Sequence, residues 1–163
     1  MSETGSILTE IDFAKTILEH NQNLINLVDA KAGILLAADG VVLAVLGASQ
    51  VNLTSQIEKL SFFLVTSFLI GSAICGALTI KARVIHNTPP TKIFFGSILQ
   101  MKREQYRESF ASTPNQILGD LLNNIYTLAT IQKKKFAYLN ASIYLIVAAL
   151  VVLALMVISI RLL

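Results

Sequence analysis

A lone carboxylate inside an apolar run is the sharpest chemical signal in this sequence. Asp39 interrupts Ile34–Leu46, which is otherwise apolar apart from Gly40. If the run crosses a bilayer and begins near Ala32, the carboxyl lies about 10 Å deep at 1.5 Å per residue. Placing it there costs about 2.5–3.5 kcal/mol on insertion scales, so it must face protein or water. Two chemistries are open. It is a protonated or hydrogen-bonded group serving structure, or it lines a water-filled conduit or gate. Asp39 sits next to Gly40 and is therefore expected to border a second feature, a stripe of small residues.

That stripe is Ala30, Gly33, Ala37, Gly40, Ala44 and Gly47, at alternating spacings of three and four. Glycine is poor helix material, so its repeated use on one heptad face needs a reason. In lipid the reason is close approach of another helix, because association there rests on van der Waals fit. The neighbour is another span of the same chain, or the same helix of a second copy around an oligomer axis. Ser67, Gly71 and Cys75, with Ser72 and Gly76 beside them, form a weaker stripe on the second apolar run.

Asp29, Lys31 and Lys15 mark the approach to the first run. Asp29 and Lys31 are two apart and do not face each other on a helix, so each needs a partner elsewhere. Lys31 also suits a snorkelling role at a membrane surface. A third group is basic. Nine of the 13 Lys and Arg lie between Lys81 and Lys135: Lys81, Arg83, Lys92, Lys102, Arg103, Arg107, Lys133, Lys134 and Lys135. Only Glu104, Glu108 and Asp120 oppose them there, and Phe94, Phe95, Tyr106, Phe110 and Tyr126 are interleaved. Basic side chains with stacking rings can hold a nucleotide or a short single strand. The same charges also serve topology and anionic headgroups, the role assigned mainly to Lys133–Lys135.

No catalytic constellation is visible. His20 and His86 stand apart, the acids are scattered, and there is no Gly-rich phosphate loop, GxSxG or His-Glu-x-x-His. Cys75 is the only cysteine, which excludes an intrachain disulfide and a Cys-based zinc site. It is expected as a small buried packing residue. No enzyme activity, cofactor or metal is expected.

The elements that must carry these residues follow from composition. Apolar residues make up 54% of the 163 and charged residues 14%, against about 25% charged in a soluble domain. So few charges cannot cover a water-facing surface, and so much apolar surface cannot stay disordered. The chain is expected to be an all-α integral membrane protein with three spans, 32–51, 60–80 and 136–160. The basic bias of 81–135 puts that region and the N-terminus in the cytoplasm, residues 52–59 in a short outer loop, and 161–163 outside. The N-terminal stretch has four acidic residues and no apolar h-region, so no cleavable signal peptide is expected.

Leu8, Ile11, Ala14, Leu18, Ile25 and Val28 recur at helical spacing, and no Pro or Gly separates them from the first span. Thr9 to about Ser49 therefore reads as one rod. Thr113, Pro114 and Gln116 form a helix start, and a second rod is expected from Pro114 to about Arg161. Thr88-Pro89-Pro90-Thr91 is a hinge. Between hinge and rod, a short helix is expected around Phe94–Ser109. Residues 1–31 and 81–135 together make a cytoplasmic helical bundle.

At Leu27-Val28-Asp29-Ala30-Lys31-Ala32-Gly33-Ile34-Leu35-Leu36 the chain resembles the Pycsar-effector transmembrane family. The match is to the Asp-x-Lys-Ala-Gly signature that opens that family's first membrane helix. Asn21–Asn26 is similar to the family as well. So are Leu121-Leu122-Asn123-Asn124-Ile125, Lys135 and Asn140-Ala141, which look like the helix leading into its last span. The resemblance implies an anti-phage effector of the bacterial inner membrane. It also implies a partner nucleotidyltransferase or cyclase whose nucleotide or oligonucleotide product controls the effector. Related subunits of Hailong-type defence form oligomeric channels, which implies a homo-oligomer such as a tetramer acting as a gated pore in the lipid bilayer. Many Pycsar members carry a separate cyclic-nucleotide-binding domain, for which this chain is expected to have no room. Sensing would then fall to the basic region or to a partner protein. Two other readings are a non-conducting scaffold that anchors a cytoplasmic enzyme and a holin-like pore without a ligand. The capped extension Thr113–Lys135 disfavours the holin, which needs no such helix.

Overall fold

The computed structural model describes residues 3–48, 55–81, 93, 98, 99, 101–108 and 113–162. Its helices are α1 (Glu3–Ala48), α2 (Gln56–Ile80), α3 (Arg103–Glu108) and α4 (Pro114–Leu162). Both long rods form as expected. α1 runs 46 residues without a break, about 69 Å at the α-helical rise. α4 runs 49 residues. Neither holds a proline beyond its first position, so nothing interrupts the backbone ladder.

α2 starts four residues before the expected Leu60. Ser55 caps it: the Ser55 hydroxyl accepts from the Ile57 N–H at 3.2 Å, and the Glu58 carboxylate accepts from the Ser55 N–H at 3.1 Å. A boundary drawn at the first charge-free residue misses this capping box, whose acid belongs in the first turn. At the start of α4 the Thr113 N–H donates to the Gln116 side-chain oxygen at 3.1 Å. The Thr113 carbonyl accepts from the N–H groups of Gln116 and Ile117.

Of the short helix expected at Phe94–Ser109, Arg103–Glu108 is helical. Phe94, Phe95, Ser109 and Phe110 lie outside the described residues. So do the Thr88–Thr91 hinge, Arg83, Lys92 and residues 49–54, which include the end of the first expected span.

The chain divides into two compact units. The first comprises residues 1–26 and 82–133, the second 27–81 and 134–163. In the first, Ile11, Ala14 and Leu121 form a buried cluster against which Ile7, Leu18, Leu118 and Ile125 pack. Of the helical-stripe residues in this unit, Ile11, Ala14 and Leu18 therefore meet α4. Leu8, expected on the same stripe, is exposed.

In the second unit α1, α2 and α4 pack around two apolar clusters. Val28, Ala32 and Leu139 form one, with Leu35 against it. Val65, Leu69, Ile146 and Ala149 form the other, with Val42, Leu43 and Leu46 against it. α2 allows this closeness through two glycines. A Cβ at Gly76 would lie 3.0 Å from Cγ of Leu36, and one at Gly71 would lie 3.3 Å from Cδ1 of Leu145. Large apolar side chains cover the outside: Ile34, Val41, Val45, Phe63, Ile70, Tyr144 and Leu155 are all exposed. All three long helices are apolar and long enough to cross a bilayer. An outer surface this apolar belongs in lipid, since soluble monomers rarely expose contiguous apolar patches beyond a few hundred Å².

Candidate functional site

Three features of the second unit bear on function, and they occupy different places. The first is an ion pair. Lys135 on α4 donates from Nζ to Oδ1 of Asp29 on α1. The lysine side chain is only 5% exposed and the aspartate 32%. Asp29 thus finds the partner on another helix that its position demanded. Lys135 was expected to stand with Lys133 and Lys134 at the membrane surface. Its neighbours are exposed, but Lys135 itself is buried. The reason is helical phase: Lys135 is four residues after buried Ile131 and four before buried Leu139, so it falls on the inward face of α4. Lys31 is exposed.

The second feature is a polar layer within the apolar core. Asp39 of α1 is 1% exposed, and Ser72 of α2 and Ser142 of α4 are fully buried. The Ser72 hydroxyl donates to the Ser142 carbonyl at 3.1 Å, and the two hydroxyl oxygens are 2.9 Å apart. The Asp39 carboxyl lies beside Ser72, yet neither of its oxygens has a partner within hydrogen-bond distance. Asp39 was expected to border the small stripe because it precedes Gly40. The structure corrects this. One residue is a rotation of about 100° on a helix, which turns Asp39 into the core while Gly40 stays outside.

The third feature is the stripe itself. Ala30, Ala37, Gly40, Ala44 and Gly47 are exposed and Gly33 is half-buried. A Cβ at Gly33, Gly40 or Gly47 would meet nothing within 4 Å. Among the described residues, then, no side chain of this chain packs onto these three glycines. Of the weaker stripe on α2, Gly71, Ser72 and Gly76 are used inside the chain, Cys75 is half-buried and Ser67 is exposed.

Residues 13–162 match the family described as Pycsar effector protein domain. The chain belongs to the Pycsar effector family. No curated protein and no solved structure matches it. Membership makes the chain a membrane effector of a cyclic-nucleotide anti-phage system, and it implies a partner cyclase that supplies the nucleotide. The three apolar helices of this Pycsar effector are long and apolar enough to be its membrane spans.

The basic residues of the first unit do not form a concentrated anion site among the described residues. Lys102, Arg103 and Arg107 are exposed; so, in the second unit, is Lys81 at the end of α2. Arg107 shares a cleft of about 350 Å³ with Glu104 and Glu108, two acids that offset it. A second, apolar groove of about 220 Å³ is lined by Phe13, Ala14, Ile17, Leu118 and Leu122, with Glu10 at its edge. No three His, Cys, Asp or Glu side chains come together as a metal site among the described residues. Sequence reasoning missed Ser72 and Ser142 as partners and Lys135 as the mate of Asp29. Lys135 and Ser142 were accessible in principle, because both fall on the stripe of α4 that also holds Leu139, Ile146 and Ala149.

Proposed function

We propose that this Pycsar effector self-associates through the outward face of α1 and forms an oligomeric pore in the bacterial inner membrane, controlled by the nucleotide or oligonucleotide product of its partner enzyme. The observation that carries the reading is the open stripe. Gly33, Gly40 and Gly47 stand clear of the chain's own atoms, whereas Gly71 and Gly76 of α2 are filled by Leu145 and Leu36. Glycine costs a helix about 1 kcal/mol per position relative to alanine. Three at heptad spacing, with room for a Cβ among the described residues, suit the approach of a second copy.

Asp39 lies between apolar layers in the core, so the conducting path in this reading runs between subunits and not through one. The N-terminus and the 81–135 region lie in the cytoplasm, as the basic bias requires, where the nucleotide is made. The chain has no catalytic role of its own; its partner makes the signal. A scaffold that merely anchors an enzyme has no need of an open glycine seam. The test is the mass of the detergent-solubilised complex. A defined homo-oligomer that dissociates on Gly40→Leu or Gly33→Leu supports the reading. A monomer, or an oligomer unchanged by both substitutions, rejects the seam.

A further inference from the structure

The polar layer in the core of the second unit is short of positive charge. Both Asp39 oxygens are buried and unpartnered. The two nearby hydroxyls lie within hydrogen-bond distance of each other and not of the Asp39 oxygens. Ser72 donates to the Ser142 carbonyl at 3.1 Å, and the two hydroxyl oxygens are 2.9 Å apart. No other charged residue occurs in 32–48, 60–80 or 136–160; Cys75, Tyr138 and Tyr144 are the remaining titratable groups there, and none carries a positive charge. Lys135, a buried lysine among the described residues, is engaged by Asp29. Asp29 is ten residues, about 15 Å, along α1 from Asp39. A carboxyl buried this way carries a cost of several kcal/mol unless something neutralises it.

We propose that Asp39, Ser72 and Ser142 form a binding site for one small alkali cation, sodium by its size and charge. The donors are hard oxygens: two from the carboxylate and one from each hydroxyl, whose lone pairs are not exhausted by a single hydrogen bond. Hard oxygen donors select hard cations over zinc or copper. Calcium takes six to eight oxygen ligands, and magnesium demands near-octahedral geometry. One carboxylate would leave either divalent ion with an uncompensated positive charge in an apolar core. A monovalent ion cancels the charge one for one, and water completes its shell. Val28, Ala32 and Leu139 lie on one side of the layer, and Val65, Leu69, Ile146 and Ala149 lie on the other. They hold the ion in place and bar its passage, so it is a structural ion that ties α1 to α2 and α4. The site does not depend on the pore, because it lies within one chain.

The experiment is thermal unfolding of the full chain in detergent at pH 8. Sodium chloride is titrated against N-methylglucamine chloride at constant ionic strength. The unfolding midpoint should rise with sodium and saturate, as binding to the folded state requires. Asp39→Asn should abolish the response, and Ser72→Ala should raise the sodium concentration needed by at least tenfold. If Asp39→Asn does not fold, sodium-23 line broadening on the wild-type and Ser72→Ala proteins reads the same site, with broadening lost in the variant. A midpoint indifferent to sodium but raised by acidification would overturn the proposal and make a proton the occupant. A sodium response unchanged in both variants would overturn it too.

Discussion

Breaking the Asp29–Lys135 pair should have unequal effects depending on which partner is removed. Lys135 is 5% exposed and Asp29 32%. Asp29→Asn strands an ammonium that water barely reaches. Breaking a buried pair from one side costs about 3–5 kcal/mol, and the long lysine stem can swing part of its charge outward. About 3 kcal/mol is therefore expected. Lys135→Met leaves a carboxylate that is one-third open to solvent, and its stem is replaced by an unbranched apolar chain. About 1–2 kcal/mol is expected, close to the cost of one lost buried hydrogen bond. The double variant Asp29→Asn/Lys135→Met removes both charges and should cost no more than the worse single change. The coupling energy is then at least about 1 kcal/mol, well above the error for independent sites. The assay is reversible denaturation of the purified chain in mixed micelles, run as a double-mutant cycle. Equal losses below about 0.5 kcal/mol, or losses that add in the double variant, would refute the buried pair.

Three further outcomes follow from the packing and the charge pattern. Gly76→Ala should destabilise the monomer by about 1–3 kcal/mol through overpacking against Leu36, while Gly40→Ala should leave monomer stability unchanged or slightly raised; unfolding curves of the two compare inside with outside. Alanine at Lys102, Arg103 and Arg107 together should weaken the nucleotide response if the basic region senses it, and the wild-type response should then fall steeply with salt; a normal response in the triple variant, read by toxicity in cells with the partner enzyme, moves sensing to a partner protein. A reporter active only in the cytoplasm should work when inserted near Ser112 and fail after Leu163; the reverse pattern would overturn the orientation.

Much of the architecture was legible because helices in lipid leave a simple trace. Long charge-free runs bounded by lysines mark where a chain crosses. The absence of breakers between Ser6 and Asp29 and the Thr113-Pro114 start predict rods that continue beyond the membrane. The small stripe was legible too, since its heptad spacing needs no partner to be seen. Which neighbour it serves was not, because periodicity defines a face without saying what lies against it. Asp39 shows the same limit: adjacency to Gly40 in sequence suggested a shared face, yet helical rotation separates the two. The Asp29–Lys135 pair joins residues 106 apart, and only the packing of α1 on α4 could reveal it. Ser72 and Ser142 were hidden for a different reason, since single serines in apolar spans are common and most bond to their own helix.

The most direct test of the pore reading is ion flux from liposomes containing the purified chain. The wild type is compared with Gly40→Leu, with and without the nucleotide product of the partner enzyme. The expected result is a flux that changes with the nucleotide in the wild type and is lost in Gly40→Leu. Tight liposomes under every condition, with the oligomer intact, would contradict a pore and leave a scaffold.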